Sequence, residues 1–119
     1  MFNSKYDAYV IPIDIHPTDP VEIEHMAHQL LNVCLTNVDK IAAKNLCELY
    51  YTSKTKEIKH VAILCVGHIA RVYKSLVDPA IIGDIKEIAL DPAHIHYGVA
   101  NDTLDDIEVF VSRIIRYDH

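Results

Sequence analysis

Eight histidines, three cysteines and seventeen acidic residues are the side chains of this 119-residue chain that could do chemistry. His25 and His28 stand three apart in one helical pattern, His94 and His96 flank a single residue in a predicted loop, and His60 and His68 lie eight apart in another helical pattern. Each pair is only a two-donor fragment, whereas a catalytic zinc takes three protein ligands with hydrogen-bonded supports behind them. No HExxH occurs. Cys65 and His68 share a helical face, but Cys65 falls on an apolar stripe, where a thiol is inert. Asp105 and Asp106 are adjacent, so on a helix their carboxylates diverge, which is poor geometry for a two-carboxylate site. A glycine-rich phosphate loop is missing as well. These patterns predict no enzyme, no metal and no cofactor, and histidines that are solvated or hydrogen-bonded.

The elements that would position these residues are helical. The segment AILCVGHIARVY, Ala62 to Tyr73, sets Gly67, His68 and Arg71 inside an otherwise apolar helical pattern. Glycine costs roughly 1 kcal/mol relative to alanine in a helix interior, so Gly67 points to a close approach by another backbone. His68 and Arg71, three apart, share a face. A second segment, VANDTLDDIEVF, Val99 to Phe110, offers Asp102, Asp105 and Asp106 as partners of opposite charge for Arg71. Pairing between the two would fix how their helices stack.

Around these segments the chain divides into about five helices. Residues 1–17 alternate loosely at Tyr9, Ile11, Ile13 and Ile15 and are broken by Pro12 and Pro17, which predicts a short strand or extended arm lying along the helices. Asp19 before Pro20 is a helix start, with Glu22 and Glu24 favouring that end, and the stripe Ile23, Met26, Ala27, Leu30 and Leu31 carries the helix to about Cys34. Thr36 or Asn37 caps a second helix with Val38, Ile41, Ala42, Leu46, Leu49 and Tyr50 as its apolar face. A third runs from Thr55 through Val72 and is apolar on most sides, so it should be central. Asp78 before Pro79 opens a fourth helix through Leu90, and Asp91 before Pro92 repeats that punctuation. The last helix spans about Asn101 to Arg116, on Leu104, Ile107, Val109, Phe110, Val111, Ile114 and Ile115. The fold class is therefore all-α in a single domain, with an arm over 1–17 and a helical stack over 18–119. Tight helix pairs suggest a solenoid-like stack, although the Asp-Pro starts share no single period and leave a bundle open.

Composition narrows the function. Cys34, Cys47 and Cys65 are odd in number and sit in apolar patterns, so they read as reduced core thiols. No apolar run approaches the roughly 20 residues of a membrane span, and the start lacks the order of a signal peptide, which predicts a cytoplasmic protein. The net charge of −6 is uneven. Charges cancel over residues 1–77, whereas residues 78–119 carry Asp78, Asp84, Glu87, Asp91, Asp102, Asp105, Asp106, Glu108 and Asp118 against Lys86, Arg113 and Arg116. Such a surface repels nucleic acid and anionic lipid and speeds encounter with a basic partner.

From Lys56 to Phe110 the sequence resembles a family of small bacterial HEAT-like helical proteins that serve as immunity proteins beside polymorphic toxins, including contact-dependent growth inhibition systems. The resemblance is carried by the Gly67–His68 pair, Arg71 three residues later, and Asp105–Asp106, in that order. The chain departs from the family at Tyr73–Lys74, where a histidine and glycine more often end the helix, and at Asn101 and Thr103, where an acid and an alanine are commoner. The resemblance implies HEAT-like antiparallel helix pairs and a toxin-neutralising role against a cognate C-terminal toxin domain. A basic nuclease such as an RNase is the expected toxin, because an acidic inhibitor mimics its substrate's charge. Asp84, Glu87, Asp102, Asp105, Asp106 and Glu108 are then the expected partner-binding residues, and Gly67, His68 and Arg71 the structural ones. The alternative is a HEAT-like protein-binding adaptor with no toxin partner.

Overall fold

A computed structural model of the chain describes residues 14–111, and the described part is all-helical. Five helices follow one another: α1 (Pro20–Leu35), α2 (Lys40–Tyr51), α3 (Lys56–Tyr73), α4 (Pro79–Ile88) and α5 (Tyr97–Phe110). Of the arm predicted over residues 1–17, residues 1–13 lie outside the described residues, as does the continuation of the last helix to Arg116, and residues 14–17 form neither helix nor strand.

The order of contacts along the helices gives their directions. Cys47 meets Ala62, and Lys59 lies over the Tyr51 ring, so α2 and α3 run antiparallel. Thr55 meets Pro17 and Tyr73 meets Val33, so α1 and α3 run in the same direction. His60 faces His96, Ile63 faces Thr103 and Gly67 faces Asp106, so α5 also runs with α3. Glu48 accepts the Asp78 N–H at 2.9 Å and the Tyr51 hydroxyl donates to Asp84, which sets α4 along α2. Consecutive helices therefore alternate in direction, as stacked antiparallel pairs require. The helix expected to be central is central: α3 packs against α1, α2 and α5, and its Ile58, Ala62, Ile63, Cys65, Val66, Ile69 and Ala70 are all buried.

Helix starts follow the Asp signals with three differences. At α1, Asp19 precedes Pro20 as expected, but its side chain caps nothing; only its carbonyl accepts, from Ile23 N. The α2 cap is Asp39, whose Oδ1 accepts from Ala42 N at 3.0 Å, rather than Thr36 or Asn37. Asn37 instead takes a left-handed turn at φ 57°, a conformation asparagine tolerates. Val38, expected in the core, precedes the helix, and Ile41 lies away from the buried face of Ala43, Leu46, Cys47 and Tyr50, so both are exposed, at 69% and 70%. Asp78 does cap α4, through Ala80 N at 2.8 Å. Asp91–Pro92 opens no helix: Asp91 Oδ1 accepts from Ala93 N, and successive three-residue turns carry the chain to Tyr97.

The last helix starts four residues earlier than its pattern predicts. Asn101, read as its start, lies inside α5, where its amide donates to Tyr97 O and across to Ala89 O at the end of α4. Val109, assigned to the apolar set, is exposed, because the buried face of α5 is Val99, Ala100, Thr103, Leu104 and Ile107.

The α3–α5 contact is close where Gly67 lies. A Cβ built on Gly67 would stand 2.9 Å from Asp106 Oδ2 and 3.5 Å from Thr103 Cα. One turn away, Thr103, fully buried, donates its hydroxyl to Ile63 O at 2.9 Å. Replacing Gly67 by alanine should leave stability within about 1 kcal/mol of the parent, because the helix-propensity gain offsets a small shift of the Asp106 carboxylate. Gly67→Leu should destabilise by about 1 to 3 kcal/mol through overpacking. Thr103→Val keeps the shape and loses the bond, and should cost about 0.5 to 1.5 kcal/mol. Urea unfolding of the three variants measures all three values.

Candidate functional site

The sequence-predicted residues fall into two groups on the folded protein. On α5, Asp102 and Asp105 are exposed on the side opposite the buried face, Glu108 is half-buried beside them, and Glu87 is exposed on the neighbouring α4. Asp84 and Asp106 are committed elsewhere. Asp84 accepts the Tyr51 hydroxyl from α2, and burial, together with this carboxylate, pushes the Tyr51 phenol well above its ordinary value. Asp106 is half-buried against Gly67, within electrostatic reach of His68.

Arg71 does not bridge α3 to the aspartates of α5. It is exposed, and its Nη2 lies 2.9 Å from His68 Nδ1 within its own helix. The contact between the helices is made instead by the small surface of Gly67 and by Thr103. His68 is held below the usual histidine range, first by burial and then by the Arg71 charge, against the pull of Cys34 and Asp106.

The three cysteines come together in the core, one each from α1, α2 and α3, and all are fully buried. Cys47 donates to Ala62 O at 3.3 Å. The neighbouring Cys34 thiol and burial push the Cys47 and Cys65 thiols above the ordinary range. Among the described residues no group of three or more His, Cys, Asp or Glu is arranged to hold a metal ion, and no helix is long and apolar enough to cross a membrane.

Folding also assembles a cluster that spacing alone does not announce. Parallel packing of α3 and α5 brings His60 to 5.9 Å from His96, ring centre to ring centre, and the α4–α5 turn brings His94 to 5.6 Å. The His94 ring is fixed by accepting the His96 N–H at Nδ1, 3.0 Å away. His96 is 5% exposed, and its Nδ1 is buried with no hydrogen-bond partner. Burial, then the neighbouring His60, His94 and Lys59, keep its imidazole below the usual range. The sequence offers both halves of this cluster as separate fragments; only the α3–α5 register joins them.

Two hollows on the described surface are lined by histidines. A groove of about 650 Å³ runs along α1, between His25, His28 and Leu35. A pocket of about 370 Å³ lies between the first two turns of α3 and the α4–α5 turn, lined by Lys56, Glu57, His60, Val61, Ile95 and His96. Compared with known proteins, the chain matches no family model, no curated protein and no solved structure.

Two outcomes follow from this geometry. An exposed Arg71 bonded only along its own helix makes Arg71→Ala cost about 1 kcal/mol or less in urea unfolding, because exposed charged contacts contribute little. For the histidines the sign comes from linkage. Unfolded His68 and His96 take up protons near pH 6.5, whereas in the fold they do so only at lower pH. Their contribution is therefore complete above pH 6.5 and declines as pH falls below it. The thermal midpoint should drop between pH 7.5 and 5.5, and the drop should be shallower in His96→Phe.

Proposed function

We propose that this chain is the immunity partner of a bacterial toxin: a small cytoplasmic helical protein that binds the toxin's C-terminal domain and denies it its substrate. The observation that carries this is the acid presented by the last two described helices. From Asp78 to Val111 the sequence has eight acidic residues and one base, Lys86. Asp102, Asp105 and Glu87 are exposed there, on adjacent elements. A nuclease must attract nucleic acid and is basic around its site, so a rigid acidic surface steers toward it and competes with its substrate by charge. Asp102, Asp105, Glu108 and Glu87 are the contact residues. Asp84 and Asp106 serve the fold first, through Tyr51 and Gly67.

A protein-binding adaptor without a toxin is the second reading, favoured by the apolar Leu90 and Ile95, 81% and 67% exposed in the α4–α5 turn. Such side chains would anchor a partner whatever its charge.

The test uses the toxin domain encoded beside this chain's gene, expressed in sensitive cells with and without the chain. Protection is expected, and Asp102→Asn with Asp105→Asn should slow association and weaken its salt dependence. Glu22→Gln with Glu24→Gln, two exposed acids of α1, should leave both unchanged. No adjacent toxin, or equal losses from both pairs, would favour the adaptor.

A further inference from the structure

Residues 89–98 join α4 to the first turn of α5, and among them, all described, His96 alone is buried. The next buried side chains are Ile88 on one side and Val99 on the other, so a single imidazole, 5% exposed, anchors the segment. Its backbone bonds include those from His94 N to Asp91 O and from Tyr97 N to His94 O, which are local turns. Beside the anchor the segment does not close on α3, because the hollow of about 370 Å³ lies between them. The Asn101 amide, bonded to Ala89 O at 3.2 Å, keeps the ends of α4 and α5 together, so an opening here is confined to the segment.

A neutral imidazole suits this anchor and a charged one does not. A protonated ring donates from both nitrogens, and the buried Nδ1 has no acceptor. The ring would also share its surroundings with other cations: from α3, His60 at 5.9 Å with Lys59 and Lys56 nearby, and from the segment, His94 at 5.6 Å. His96 opens α5, so its charge would stand at the positive end of that helix. The acids on these two elements give no buried counter-charge, since Glu57 is exposed and Asp91, also exposed, accepts the Ala93 N–H. We propose that the segment is an acid-released latch: when the His60, His94 and His96 cluster takes up protons, residues 90–98 leave α3 while the rest of the fold stays packed. Once released, the His96 ring meets water and parts from His60, so the proton holds the latch open. Above pH 6.5 the ring is neutral in either position and the latch is fully closed; its hold declines as pH falls below that. The device works whether or not the chain has a toxin partner.

Amide hydrogen exchange, corrected for the chemical effect of pH on the exchange step, reads the opening residue by residue. The bonded amides of His96, Tyr97 and Ala100 should open about five- to thirtyfold more often at pH 5.0 than at pH 7.5, the range for one histidine that titrates near pH 6.5 only when released. Amides in the middle of α3 should open more rarely than these at both pH values. His96→Phe keeps an apolar ring in the anchor and should abolish the rise. His60→Gln, at an exposed position that does not threaten the fold, removes one facing cation and should reduce it. No rise in the parent protein would overturn the proposal. So would equal opening of α3 and the segment at pH 5.0, which is global unfolding, or a full rise retained in either variant.

Discussion

The structure depends on how closely α5 can lie on α3. At Gly67 the two helices leave room for a methyl only once the Asp106 carboxylate shifts, and none for a longer side chain: Asp106 Oδ2 and Thr103 Cα lie 2.9 and 3.5 Å from where a Cβ would be. At that separation the Thr103 hydroxyl reaches Ile63 O, and the rings of His60 and His96 face one another two turns away. A wider spacing would break the bond and open the histidine cluster. The other face of α3 is held as firmly by α1 and α2, which leaves this helix no freedom to shift in compensation. The glycine's intrinsic cost to the helix is thus offset by packing along the whole contact.

Much of the architecture was legible in sequence because helical patterning is a local property. The broad apolar face of α3 marked it as the hub, and its position between α1, α2 and α5 follows. Asp78 capped as its type predicts. The failures were also local. Asp91–Pro92 carries the same dipeptide as a helix start, but Asp91 spends its side chain on an Asx turn, and nothing in the two residues alone distinguishes the outcomes. Val38 fitted a helical stripe only while α2 was assumed to begin before Asp39, and Ile41 only while that stripe ran through Ala42 rather than Ala43.

The site was less legible, since it is made of contacts between elements. Exposure of Asp102 and Asp105 follows from α5 periodicity, so their place on the surface could be read in advance. That Asp84 would be taken by Tyr51, 33 positions away, could not. Arg71 and the aspartates were matched by charge, but the close approach they were meant to secure is secured by a glycine and a threonine, and the threonine had drawn notice only as a departure from a pattern. His60 and His96 are 36 positions apart, and no spacing rule joins them; their meeting is a product of parallel packing.

Four of the hydrogen bonds that tie separate elements together share a trait. The Cys47 thiol donates to Ala62 O, the Thr55 hydroxyl to Pro17 O, the Tyr73 hydroxyl to Val33 O and the Thr103 hydroxyl to Ile63 O. In each the acceptor is main chain, and a carbonyl has a second lone pair to give even when it already serves a helix. Main-chain carbonyls are present whatever the side chain, so residues 17, 33, 62 and 63 are released from any duty to keep a polar group. The chemical obligation falls on one partner of each bond. Mutational drift can therefore run freely through the acceptor positions, limited only by volume, while the four donors hold the stack in register.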